Sequence, residues 1–176
     1  MERQHALGSI SLLDLERVHA GALIGFYAYY EQSLEKLFLG ILLRRLSRAD
    51  VNPLVQIASD RVARDVIEAG RPYASWLPYD YTQRRAAAYF SGGRPFSVLT
   101  ASDKQTLKRL AILRNAVAHE SGSARSKFEN EFVVGKSLPP GQHRPAGYLR
   151  GNHAAGQSRL AYHFAEAVVI FTKICQ

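Results

Sequence analysis

Apolar residues recur along nearly the whole chain at intervals of three and four, the spacing of one helix face, and hardly anywhere in the alternation of a strand. The first such stretch opens at Ser11-Leu12-Leu13-Asp14, which resembles a capping box, and predicts a helix running to about Leu46. Tyr27, Tyr30, Leu34, Phe38, Ile41 and Leu42 make its apolar stripe. Asn52-Pro53 interrupts the period, and a second helix is predicted from about Leu54 to Ala69, closed by Gly70. A turn region, Arg71 to Pro78, leads to a short helix from Asp80 to Phe90 that Gly92-Gly93 ends. Thr100 or Ser102 caps the next helix, which ends near Glu120, where Ser121-Gly122-Ser123 breaks it. One or two further turns are predicted over Ala124 to Phe132.

The last helix is predicted from Ser158 to Ile174, with Arg159, His163, Glu166 and Lys173 on one side. Leu160, Phe164, Val168, Phe171 and Ile174 lie on the other, the side expected to face the core. Between Gly135 and Gln157 the pattern changes: five glycines and three prolines accompany Lys136, His143, Arg144, Arg150 and His153. This reads as a long irregular basic loop, a kind of segment that often carries function. Phe132-Val133-Val134 is the one β-leaning scrap, and no internal repeat is evident. The expectation is an all-α fold: one domain over residues 1–176, an up-and-down bundle of four to five helices with a long basic loop before the last.

Composition narrows the function. A chain of 176 residues that is 47% hydrophobic can bury a sizeable core, and a net charge of +8 favours a polyanionic partner. From Phe132 onward five basic residues face one acid, Glu166, so half of the net charge lies in the last quarter. The single cysteine, Cys175, excludes an internal disulfide and a cysteine-based metal site. The histidines show no metal-ligand spacing, so neither metal nor other cofactor is expected. Met1-Glu2-Arg3-Gln4-His5 lacks the plan of a signal peptide, and the apolar stretch from Ala20 to Tyr30 is too short to span a bilayer. A cytoplasmic protein without membrane partners is expected.

The densest chemistry is Arg114-Asn115-Ala116-Val117-Ala118-His119, at the end of one amphipathic helix. Arginine neutralises phosphate and histidine moves protons near neutral pH, a sufficient pair for cleaving RNA without a metal. At about 100° per residue, Lys104, Lys108, Asn115 and His119 share a polar stripe, while Leu107, Leu110, Leu113 and Val117 form the apolar face. Arg114 projects inside that apolar arc, so it is either paired in a half-buried place or aimed along a groove. Glu31, at the edge of the first helix's stripe, is the expected partner; the alternative is that it simply reaches water. Gly21 and Gly25 could let two helices cross closely, or reflect local packing alone. Lys104, Lys108, Arg144 and Arg150 are candidates for RNA backbone contacts, or ordinary solvated side chains. Tyr148, in the basic loop, is the better placed of the tyrosines for stacking on a base.

An arginine followed by asparagine, with a histidine closing the same helix of an all-helical chain, resembles the HEPN superfamily, whose motif is Arg, four to six residues, His. The resemblance implies a metal-independent endoribonuclease that works as a homodimer with a composite cleft. It also implies a toxin or antiviral-defence effector, with an antitoxin as a possible partner protein. Arg114, His119 and Asn115 would be its catalytic residues, with an early-helix acid, Glu31, supporting the arginine. Ser121 stands two residues after His119 where one HEPN subgroup carries a tyrosine, so the modification that subgroup undergoes there is not expected. The alternative within the resemblance is a non-catalytic module for RNA or nucleotide binding or for dimerisation.

Overall fold

The computed structural model describes residues 8–119 and 121–176; the N-terminal pentapeptide and Glu120 lie outside them. The capping box at Ser11 forms: Asp14 N donates to Ser11 Oγ (3.1 Å), and the hydroxyl donates to Asp14 Oδ2 (2.6 Å). From it runs α1 (Leu12–Leu42). It stops short of the expected Leu46 because Arg44 turns left-handed (φ 55°) and the amides of Arg45 and Leu46 both donate back to Gly40 O, at 2.8 and 2.9 Å. Leu46 then lies over Gly40, where a Cβ would come within 2.7 Å of Leu46 Cδ1.

The second helix is shorter than its sequence suggests. Residues 52–58 are not helical; Leu54 N donates to Tyr89 O and Ser91 N to Asn52 O, each at 2.9 Å, around a Pro53–Phe90 bridge. Their backbone groups are paired with a distant segment, so the helix waits for a cap. Ser59 supplies it, accepting from Val62 N, and α2 (Asp60–Glu68) ends at left-handed Ala69. Next comes α3 (Tyr79–Tyr89), ended by a 3₁₀ turn with Gly92 and Gly93 at positive φ.

Of the two caps expected for the motif helix, Thr100 is the one used. Its hydroxyl accepts from Asp103 N (3.2 Å) and Asp103 Oδ2 accepts from Thr100 N (3.0 Å), opening α4 (Ala101–Ala118). Ser121 caps α5 (Gly122–Phe128), which widens into a π turn over Glu129–Val133. Phe132 and Val133 are therefore helical, not strand, and Val134 is the turn residue that follows. The expected irregular loop is largely ordered: a 3₁₀ turn (Pro140–Gln142), α6 (Pro145–Arg150) and an antiparallel pair, β1 (Asn152–Ala154) with β2 (Gln157–Ser158). The chain closes with α7 (Arg159–Cys175). At 65% helix and 4% strand among the described residues, the class is all-α. No helix of the described residues is long and apolar enough to cross a membrane.

The chain packs as two compact units, and α1, α4 and α7 each give one length to either. The first unit takes Met1–Ala28 and Arg109–Ala167. Its core sets Leu15, Leu23 and Tyr27 of α1 and Leu110 and Leu113 of α4 with the buried rings of Phe128, Phe132 and Tyr148. The second takes Tyr29–Lys108 and Val168–Gln176. There Phe38 is the hub, its ring 4.8–6.0 Å from those of Trp76, Tyr89, Phe90 and Phe96. Aromatic contacts at these separations add to the stabilisation from burial alone.

The last helix is rotated from its sequence reading. Its buried positions are His163, Ala167, Ile170 and Ile174, whereas Val168, expected in the core, is 54% exposed. The core that meets α7 is lined by rings: Phe132, Tyr148 and Tyr162 surround the His163 imidazole. A flat ring of mixed polarity fits among them.

Candidate functional site

The arginine–histidine end of α4 lies wholly within the first unit. Leu107, Leu110 and Leu113 are buried, so the helix is anchored by the face the sequence marks as apolar. Arg114, in the same arc, is half-buried, and its guanidinium carbon lies 5.3 Å from the centroid of the buried Tyr27 ring. A cation–π contact thus accommodates the charge that helix geometry directs toward apolar surroundings. Arg114 Nη1 donates to Asn115 Oδ1 (3.0 Å) and to His119 Nε2 (3.4 Å). Asn115 and His119 are exposed. His119 is the first residue past α4, its amide still donating to Asn115 O (3.0 Å), and its ring turns back toward the guanidinium. Arginine, asparagine and histidine therefore form one cluster at a solvent-facing helix end.

Guanidinium can only donate. In this arrangement His119 Nε2 is the acceptor, which places the imidazole proton on Nδ1. The cluster thus sets a fixed cation beside an imidazole nitrogen. Among the described residues, no group of three or more His, Cys, Asp or Glu side chains is placed to hold a metal ion.

Glu31, the expected partner of Arg114, has a different use. Its Oε1 accepts from Trp76 N (3.1 Å) and Leu77 N (3.0 Å), within the second unit. The carboxylate caps two backbone amides of buried residues. Arg114 is supported instead by Tyr27, which the sequence marks only as a member of the apolar stripe. Lys104 and Lys108 belong to the part of α4 in the second unit; Lys104 is half-buried and Lys108 exposed.

The other two basic candidates stand in the segment after α5. Arg144 Nη2 lies 3.6 Å from Oε1 of the buried Glu16, so it neutralises that carboxylate while its own side chain stays 66% exposed. Arg150 lines a cavity of about 610 Å³. The cavity wall continues through Gly151, Asn152, Gly156, Gln157 and Ser158 of the hairpin, with Gln142, Ala161 and His19 completing it. Periodicity gives no warning of this cavity, because it arises when the hairpin folds back on the start of α7. Tyr148, the expected stacking platform, is buried and already covered: the Arg159 guanidinium lies 4.6 Å from its ring centroid, and Phe132 packs beside it.

Arg159 organises that wall. Its Nη1 donates to Gln142 Oε1 (2.7 Å) and Tyr148 O (3.1 Å), and its amide donates to Gly151 O (2.8 Å). A Cβ on Gly151 would meet the ends of the Arg159 and Gln142 side chains, so a larger residue there would displace this pair. Compared with family models, with curated proteins and with solved structures, this chain shows no match in any of the three.

Proposed function

We propose that this chain is a metal-independent endoribonuclease of the HEPN type, acting as a homodimer in a toxin or antiviral-defence setting. The observation that carries the reading is the Arg114 guanidinium, seated on Tyr27 and hydrogen-bonded to both Asn115 and His119 at an exposed helix end. The resemblance of the Arg114–His119 hexamer to the HEPN motif and the net charge of +8 point the same way.

The chemistry follows from the donors and acceptors present. A scissile phosphate approaching this end offers Arg114 a charge-assisted hydrogen bond, stronger than its 3.4 Å contact to the imidazole. The guanidinium turns to the phosphoryl oxygens and releases His119 Nε2. That nitrogen takes the proton of the ribose 2′-OH as its oxygen attacks the adjacent phosphorus in line. The bond from phosphorus to the 5′-oxygen breaks, and the leaving oxygen takes its proton from the His119 imidazolium so formed. Arg114 stabilises the charge gathered on the phosphoryl oxygens meanwhile. The products are a 2′,3′-cyclic phosphate and a 5′-OH.

Incubating the protein with single-stranded RNA in excess EDTA tests this. Cleavage to cyclic-phosphate ends that His119→Ala abolishes is expected. Dependence on added metal, or full activity in His119→Ala, would overturn it. Salt-sensitive RNA binding without any cleavage would select the alternative, a binding or dimerisation module, which the exposure of Asn115 and His119 would equally serve.

A further inference from the structure

We propose that the cavity between the β1–β2 hairpin, the 3₁₀ turn and the start of α7 is a nucleotide site, one that takes a nucleoside monophosphate free or as a unit of an RNA chain. It is separate from the Arg114–His119 cluster, and the inference stands whether or not that cluster cleaves RNA. At about 610 Å³ the cavity falls in the size range of small-molecule sites.

Its chemistry is selective. Among the described lining residues there is one arginine, Arg150, and one histidine, His19, and no carboxylate. Such a lining suits an anion and sets no negative charge among the described residues against a metal ion. Three carboxamides, Gln142, Asn152 and Gln157, share the wall with them. Asn152 and Gln157 each carry a paired donor and acceptor, and Gln142 adds an NH₂ donor, together the complement of the polar edge of a nucleobase. An apolar ligand would leave those amides dehydrated and unpaired, at a cost in affinity. A phosphate alone would use the arginine and leave the acceptors idle. A nucleotide satisfies both.

The site is also built before any ligand arrives. Gln142 is oriented by Arg159, which holds its Oε1 at 2.7 Å and so leaves its NH₂ as the group offered to the cavity. Arg159 is itself fixed by Tyr148 O and the Tyr148 ring. The hairpin is pinned to α7 by the His153–Tyr162 stack, ring centroids 3.6 Å apart, immediately beside Asn152 and Ala161. Ser158 Oγ accepts from Ala161 N (3.2 Å), tying β2 to the first turn of α7. Preorganisation of this kind lowers the ordering cost of binding.

Calorimetric titration of the His119→Ala protein, chosen so that an RNA probe survives, tests the proposal. AMP, GMP, CMP, UMP, ribose 5-phosphate, inorganic phosphate and a short single-stranded RNA are each titrated. At least one mononucleotide is expected to bind at one site per chain, and roughly tenfold more tightly than ribose 5-phosphate, which lacks the base edge. Arg150→Ala and, separately, Gln157→Ala should each weaken it about tenfold, the former with a reduced salt dependence. RNA that displaces the mononucleotide would identify the site as a subsite for an RNA chain; RNA that binds without displacing it would identify a site for free nucleotide. No mononucleotide binding up to about 1 mM would overturn the proposal. Affinity unchanged in both variants, or equal binding of inorganic phosphate, would do so as well. Because cleavage plays no part in the readout, failure here leaves the nuclease reading intact, and failure of the nuclease assay leaves this one intact.

Discussion

Arg114 Nη1 and His119 Nε2 meet at 3.4 Å across the C-terminal end of α4, and the direction of that hydrogen bond fixes the imidazole as its acceptor. The pair therefore sets an imidazole nitrogen directly beside a cation. In single-turnover cleavage of labelled RNA, His119→Ala and Arg114→Ala should each lower the rate at least about a hundredfold, the range for a lost proton-transfer group or charge stabiliser. Both should keep the wild-type circular dichroism spectrum, since His119 is exposed and Arg114 half-buried. Arg114→Lys should remain impaired, because a single ammonium lacks the planar fork that grips a phosphate in bidentate fashion. Full activity in Arg114→Lys would show that charge alone suffices.

Tyr27 is the floor on which the guanidinium lies. Tyr27→Phe keeps the π face and should cleave RNA at close to the wild-type rate. Tyr27→Leu removes it, with an expected loss of about 0.5–2 kcal/mol of cation–π interaction. That loss should appear as slower cleavage as well as a lower denaturation midpoint. Equal rates for the two variants would mean that the ring serves packing only.

Glu31 caps Trp76 N and Leu77 N, a structural task. Glu31→Ala leaves two amides of buried residues without their acceptor and should cost about 2–4 kcal/mol in urea denaturation. Glu31→Gln keeps a carbonyl oxygen in place and should cost about 1 kcal/mol. Cleavage per folded molecule should be unchanged in Glu31→Gln. A selective loss of activity at normal stability would return this residue to the catalytic set.

His163 is 5% exposed, its Nε2 has no hydrogen-bond partner among the described residues, and burial holds its pKa at about 4, with Arg109, His153 and Arg159 lowering it further. The folded protein therefore keeps a neutral imidazole where the unfolded chain, near 6.5, takes up a proton. Stability should be flat above about pH 6.5 and fall as pH drops toward 4, by about 3 kcal/mol from this group. His163→Phe, which suits the surrounding rings, should remove that decline. Urea midpoints at pH 7, 6, 5 and 4 for the two proteins check it; parallel pH curves would refute the assignment.

Features governed by a few neighbouring residues were legible in the sequence. Ser11 and Asp14 open α1, Thr100 and Asp103 open α4, and the Arg114–His119 hexamer ends its helix because capping and helical period act within one turn. The need of Arg114 for a partner was legible too, since 100° per residue directs it into an apolar arc. Which partner answers that need was not. Tyr27 and Glu31 lie on the same helix four positions apart, and only packing gives the ring to Arg114 and the carboxylate to the amides of Trp76 and Leu77. The same limit hid the pairing of Asn52 and Leu54 with the end of α3, the burial of His163 in place of Val168, and the cavity walled by Gln142, Asn152 and Gln157. Each depends on contacts between residues far apart in the chain, which a local period cannot encode. The sequence by itself determined the all-α class, the caps that open α1 and α4, and the placing of Arg114 and His119 at one helix end; tertiary structure decided what each charge touches.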